Sequence, residues 1–175
     1  MPLTPASLHP NRKQPNPRCL PLTCLLFGLL LFSMWSGCRA DYISEQQQEI
    51  PSGIWTYADS ITLSFSVEDT SRLYRLEGLV THSDEYGYQN LYVDIHTNYP
   101  SGKRSQQPLS IDLADNSGRW YGNCRGGACR INIDLQPKVK FDETGTYRLV
   151  FHQYMRKESI SGIENIGIRL AYAEE

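Results

Sequence analysis

Ile61-Thr62-Leu63-Ser64-Phe65-Ser66-Val67 alternates without fault, four apolar side chains on one face and three hydroxyls on the other. A period of two is the signature of a strand, and one wet face places it in an antiparallel sheet. The same pattern recurs along the chain. Leu91, Val93 and Ile95 alternate with Tyr92, Asp94 and His96, and Ile131, Ile133 and Leu135 alternate with Asn132 and Asp134. Leu109, Ile111 and Leu113 form another such run, and Ile166, Ile168, Leu170 and Tyr172 form the last. Tyr74, Leu76 and Val80 share one face of a strand. Tyr147, Leu149, Val150 and Phe151 crowd both faces of another, as in a central strand covered by its neighbours. Turn residues separate the runs: Tyr99-Pro100-Ser101-Gly102, Asp115-Asn116-Ser117-Gly118, Gly126-Gly127 and Asp142-Glu143-Thr144-Gly145. No stretch after Cys38 keeps a helical apolar period over three turns. The expectation is an all-β domain over 51–175. It is a two-sheet antiparallel β-sandwich of about nine or ten strands, immunoglobulin-like or jelly-roll-like. Asp142 to Tyr147 also has the form of the turn entering a tyrosine corner, without the cysteine that follows it in antibody domains.

Upstream of the strands the chain changes character. Residues 1–18 hold Arg12, Lys13 and Arg18, several prolines and no acidic group. Leu25 to Trp35 (LLFGLLLFSMW) is almost purely apolar, and Ser36, Gly37 and Cys38 follow. A basic region, a short apolar run and small residues lay out a secretory signal peptide over 1–37. The alternative is an uncleaved anchor helix from near Leu20, although the run falls short of the ~20 residues needed to span a bilayer. Trp35-Ser36-Gly37-Cys38 resembles a bacterial lipobox, which makes Cys38 the expected lipidated N-terminus. Residues 38–50, with Gln46-Gln47-Gln48, read as a polar tether. An ordered strand beginning near Tyr42 and Ile43 is the other reading. Without the leader, 14 basic groups face 19 acidic ones, a net −5 with no basic cluster. That argues against nucleic acid or anionic lipid as the main partner, so membrane contact must come from the lipid.

Cys124 and Cys129 are the pair left once Cys19 and Cys24 depart with the leader and Cys38 is acylated. An even pair in a secreted domain reads as a disulfide, with free thiols or metal and redox chemistry as the alternatives. The spacing is not CxxC and no His is near, so no metal and no cofactor are expected. His82, His96 and His152 sit in no catalytic motif, and Asp84, Glu85 and Asp94 show no spacing that selects a glycosidase pair. The expectation is a protein that is not an enzyme. The aromatic residues are more suggestive. Tyr86, Tyr88, Tyr92 and Tyr99 cluster around one hairpin, and Trp120-Tyr121 follow a glycine turn. Such rings anchor protein contacts or stack on sugars, and equally serve as core and cross-strand packing. Glycan or ligand binding through the loops around Tyr86 and Trp120 is therefore an alternative function.

Several of these segments together resemble the GldH gliding-motility lipoproteins of the Bacteroidetes. The first is Tyr86-Gly87-Tyr88-Gln89-Asn90-Leu91-Tyr92-Val93-Asp94-Ile95. The second is Leu113-Ala114-Asp115 with Gly118-Arg119-Trp120-Tyr121-Gly122. The third runs through Gly145-Thr146-Tyr147, Gln153-Tyr154-Met155-Arg156, Gly162-Ile163 and Ile166-Gly167-Ile168-Arg169. The chain departs from the family at Lys157-Glu158-Ser159-Ile160-Ser161, where an apolar, proline-containing stretch is usual, and in its Cys124–Cys129 loop. The resemblance implies a lipid-anchored, non-enzymatic component of the gliding machinery, working alongside type IX secretion and contacting other motility or secretion proteins of the envelope. It implies a location at a membrane facing the periplasm, and it carries over no catalytic residue. Tyr86, Tyr88, Trp120, Tyr121 and Arg156 are the candidate interaction surface. Met155-Arg156 leads it, a long cation after an apolar strand, with Arg156 capping a loop inside the domain as the competing reading.

Overall fold

The computed structural model describes residues 42–174. The expected signal peptide over 1–37 and the expected lipidation site Cys38 lie outside the described residues. Eleven strands form: β1 (Tyr42–Glu49), β2 (Ile54–Thr56), β3 (Ser60–Val67), β4 (Tyr74–Ser83), β5 (Asn90–Asn98), β6 (Arg104–Asp112), β7 (Asn123–Arg125), β8 (Ala128–Val139), β9 (Gly145–Gln153), β10 (Ser159–Ser161) and β11 (Ile163–Tyr172). One sheet has the order β1-β11-β4-β8-β7, the other β3-β9-β5-β6, and β2 pairs with β10 in a short ribbon. All pairings are antiparallel.

Setting aside the three-residue strands, eight strands remain, and they pair first with last and inward from there. β1 joins β11, β3 joins β9, β4 joins β8 and β5 joins β6. That is one long hairpin rolled into two facing sheets, a jelly roll, and it decides between the two sandwich types left open by the sequence. β3 buries Ile61, Leu63, Phe65 and Val67 and exposes its hydroxyl face. β9 is central in its sheet, between β3 and β5. The phenol of Tyr147 donates to the Glu143 carbonyl at 3.0 Å, closing the tyrosine corner, and its ring stacks on Phe65 with centroids 5.3 Å apart. The core between the sheets runs from this aromatic cluster to Trp55, Leu91 and Leu113, each fully enclosed. Each such side chain contributes about 1.5–3 kcal/mol by leaving water.

The tether expected over 38–50 needs correction, because Tyr42–Glu49 is a strand along β11. Its side chains are almost all exposed, so no apolar alternation marks it. Backbone pairing and charge hold it instead. Arg169 on β11 donates through Nε to Glu45 at 2.8 Å and lies 3.4 Å from Glu77 on β4, with its guanidinium 4.0 Å from the Tyr42 ring. The Arg169 hydrogen bond holds the Glu45 carboxyl below its usual pKa. Gln46 closes the side of the sandwich by accepting the Ser64 amide of β3 at 2.8 Å.

Candidate functional site

The site grows from the segment after β9, where the backbone leaves the sheet and turns back toward β10. Gln153 is buried at 2 % exposure, and its amide fixes the turn. Nε2 donates to the carbonyls of Lys157 (3.0 Å) and Glu158 (3.2 Å), while Oε1 accepts the Met155 amide (3.0 Å). The Met155 side chain plugs the space beneath, its sulfur 3.2 Å from the Tyr92 amide nitrogen. Two neighbours brace the loop from outside. The Tyr154 amide donates to the Tyr92 carbonyl (2.8 Å), the Tyr57 amide donates to the Glu158 carbonyl (2.9 Å), and the Tyr57 phenol donates to the Met155 carbonyl.

Above this rigid base lies an open groove of about 940 Å³ whose walls include Tyr57, Tyr88, Tyr92, Tyr154, Arg156 and Lys157. Tyr154 is 63 % exposed, Tyr57 49 % and Tyr92 43 %, so the rings are available to a partner. No carboxylate lines the groove, and among the described residues Arg156 makes no hydrogen bond or ion pair. A loop-capping role for Arg156 is therefore not what the structure shows. Exposed tyrosines on and beside a pre-ordered loop with two cations suit a protein contact, since large flat rings are presented at little entropic cost.

The other candidates divide. Tyr88 lines this groove, half-buried. Tyr86 does not belong to a surface: it is 4 % exposed, and burial pushes its phenol pKa up. Its ring packs on Gly162, where φ is +97° and an added Cβ would lie 3.2 Å from Tyr86 Cδ2. Trp120 is half-buried and pinned, its indole N–H donating to the Asp84 carbonyl (3.2 Å) and its ring edge-on to His82 at 4.6 Å. Tyr121 is exposed but lies outside the groove. Of the aromatic loops around Tyr86 and Trp120, Tyr86 and Trp120 themselves supply core and support, while Tyr88 and Tyr121 stay accessible. Tyr57 and Tyr154 are the residues that sequence reasoning missed. Tyr154 adjoins Gln153 in a quoted motif, but nothing local ties Tyr57 to it.

Cys124 and Cys129 are joined by a disulfide across the β7–β8 hairpin. Next to it, Gly122 is required by a close approach, because a Cβ there would fall 2.2 Å from the Arg130 carbonyl oxygen. The histidines stay apart from the groove. His82 is buried with Nδ1 donating to the Ser83 carbonyl (2.8 Å). His96 lies 3.0 Å from Asp94 on the outer face of the four-stranded sheet, with the His152 ring at 5.0 Å. Among the described residues no cluster of three or more His, Cys, Asp or Glu is placed to hold a metal. A second cleft, about 320 Å³, has residues of β6 and β8 in its walls and is lined by Leu76, Ile95, Leu109, Leu135 and Phe141 among others.

The turn carrying Trp120 is set by Asp115, whose carboxylate accepts from the Ser117 hydroxyl (2.6 Å) and from the amides of Ser117 (2.9 Å) and Arg119 (3.0 Å). Those bonds, the Ser117 hydroxyl first, lower its pKa from 3.8 to about 2. Because the folded pKa is depressed, the turn keeps its full support above pH 3.8 and loses it as pH falls through about 2. Protection of the Ser117 and Arg119 amides, taken against their intrinsic exchange rates at each pH, should fall over that window, and Asp115→Asn should flatten the dependence. Unchanged protection in the wild type across this range would contradict the assignment.

Comparisons with known proteins bear on the whole domain. Residues 42–170 match the family described as GldH lipoprotein. The chain is 25 % identical over 152 residues to the "Gliding motility lipoprotein GldH homolog" of Christiangramia forsetii, covering 83 % of this chain and 91 % of that protein. It is 24 % identical over 153 residues to the "Gliding motility lipoprotein GldH" of Flavobacterium johnsoniae, covering 83 % and 92 %. Among solved structures, a carbohydrate-binding module specific for non-crystalline cellulose aligns with a TM-score of 0.42 at 11 % identity, over 74 % of this chain and 73 % of that one.

Proposed function

The chain belongs to the GldH lipoprotein family, and from that premise we propose that it is a membrane-anchored, non-enzymatic interaction module of the gliding-motility and type IX secretion envelope machinery. The anchor is a lipid on Cys38, and the domain faces the periplasm. The observation that carries the reading is the groove above Met155. Tyr154 and two cations without ion pairs among the described residues stand on a loop whose backbone is locked by one buried glutamine, and the exposed rings of Tyr57 and Tyr92 flank it. Such a surface spends little entropy on ordering when it binds, and its cations favour a partner presenting carboxylates beside apolar side chains.

Lys157 in the groove wall makes the reading directly testable. Amine-reactive crosslinking in intact cells, read by mass spectrometry, is expected to join Lys157 to other motility or secretion proteins. Tyr154→Ala and Arg156→Ala should each reduce that capture at least tenfold without changing the amount of folded protein. Repeated capture that recovers no such protein sinks the reading. Specific retention on a glycan array, lost in Tyr154→Ala, would move the groove from protein partners to saccharides.

A further inference from the structure

Of the six large apolar side chains exposed outside the groove, Ile54 and Tyr121 stand apart on β2 and the Trp120 turn, and the other four gather at one end of the sandwich. Tyr42 (38 % exposed), Ile43 (40 %), Leu73 (37 %) and Tyr172 (42 %) lie where β1 begins, β11 ends and β4 begins. The pairings Tyr42 to Ala171 and Tyr172 to Tyr74, with the Ala173 amide donating to the Leu73 carbonyl at 3.0 Å, bring them to the same edge. The Arg72 guanidinium lies 3.7 Å over the Tyr172 ring and enters no ion pair among the described residues. Two nearby carboxylates are already engaged, Asp69 by the amide and hydroxyl of Ser71 and Glu143 by those of Ser101. Arg72 therefore stands without an ion-pair partner at this end among the described residues, while the exposed Asp69 and half-buried Glu143 carboxylates are held by serine donors.

This is also the end at which the chain enters the domain. Because β1 begins at Tyr42, only residues 39–41 separate it from Cys38. A fully extended chain then holds the Tyr42 Cα within about 14 Å of the Cys38 Cα. A tether running to residue 50 would have left the domain free to turn over; three residues do not. Tyrosines at a membrane interface put their rings among the headgroups, and arginine reaches phosphate while its stem lies on apolar surface.

Resting on the reading of Cys38 as the lipidated residue, we propose that the end of the sandwich bearing Tyr42, Ile43, Leu73, Tyr172 and Arg72 seats on the lipid surface, so that the tyrosine groove projects away from it. The strand registers set the direction. Tyr74 meets Phe141, and Phe141 meets Phe65 and Tyr147, so the entry end of one sheet faces the Val67–Gly145 end of the other. The groove lies beyond the far end, past Ser60 and His152, roughly 23 Å along β3 at ~3.3 Å per residue. The seated face is a lipid contact and the far face a protein contact.

The test uses the lipidated full chain in vesicles of phosphatidylethanolamine and phosphatidylcholine carrying a headgroup-proximal spin-labelled phosphatidylcholine. A bimane fluorophore is placed through Leu73→Cys, Ile43→Cys or Tyr154→Cys. Quenching at positions 73 and 43 is expected to exceed that at 154 at least threefold. Adding Leu73→Asp and Tyr172→Asp to the Ile43→Cys chain should lower its quenching to the level seen at 154 while the protein still floats with the vesicles. Equal or stronger quenching at 154 in floating protein overturns the seating and leaves the anchor standing. A chain that does not float overturns both.

Discussion

Gln153→Ala is expected to cost the domain about 3 kcal/mol and to abolish partner capture. The wild-type amide sits at 2 % exposure and serves three backbone groups at once. The Glu158 carbonyl keeps the Tyr57 amide as a second donor, but the Lys157 carbonyl and the buried Met155 amide lose the only partner described for them. A buried polar group left unpaired costs about 1–3 kcal/mol. The buried Met155 amide, a smaller share from the part-buried Lys157 carbonyl, and the cavity left by the side chain together give the stated figure. Gln153→Glu is nearly isosteric and should be no milder, because a carboxylate still accepts from Met155 but offers no donor to two carbonyls. Denaturant titration measures the stability, and amide exchange across 154–158 measures the loop. The prediction separates scaffold from surface: Tyr154→Ala should lose capture with stability intact, whereas Gln153→Ala should lose both. A Gln153→Ala protein that keeps wild-type protection in the loop would show that Met155 and Tyr57 suffice to hold it.

Gln153 also marks where reading the sequence reaches its limit. The core strands were legible because their information is local: Ile61 to Val67 alternates, and the alternation is what is buried. The central place of β9 followed from apolar residues on both its faces, and the tyrosine corner from a six-residue turn. What escaped depends on residues far apart in the chain. β1 exposes nearly every side chain, so Tyr42 and Ile43 only permit a strand as the second reading, and Arg169 and β11 decide for it by supplying its partner. The choice of jelly roll over immunoglobulin order lies in that same pairing of first strand with last. Tyr86 looked like a surface aromatic among polar neighbours and is buried because Gly162, 76 positions on, leaves room for its ring. A glutamine is normally read as exposed, and only the return of the chain through Lys157 and Glu158 gives this one a reason to be inside. The groove likewise needs Tyr57 and Tyr154 together, which topology alone achieves.

Cys38→Ala is expected to move the protein from the membrane to the soluble fraction and to abolish gliding, while leaving the thermal midpoint of the sandwich unchanged. The domain has its own core and closes every main ladder within residues 42–172, so nothing in its stability should depend on Cys38. Its binding to a bilayer should depend on that residue heavily. Residues 39–175 have an excess of acidic groups and no basic cluster, and in the proposed seating four exposed apolar side chains at the entry end would orient a tethered domain without retaining a free one. Each acyl methylene buried in a bilayer contributes ~0.8 kcal/mol, and two or three chains on one cysteine make the attachment stable. The short reach from Cys38 to β1 adds a second, independent arm. Ten Gly/Ser residues inserted after Ala40 should preserve flotation with membranes yet reduce gliding, because the groove would no longer be held at a fixed height and direction. If that insertion glides as well as the wild type, the lipid acts only to retain the protein. If soluble Cys38→Ala protein restores full gliding, the anchor is not part of the mechanism at all, and the groove would have to find its partner by diffusion from the periplasm.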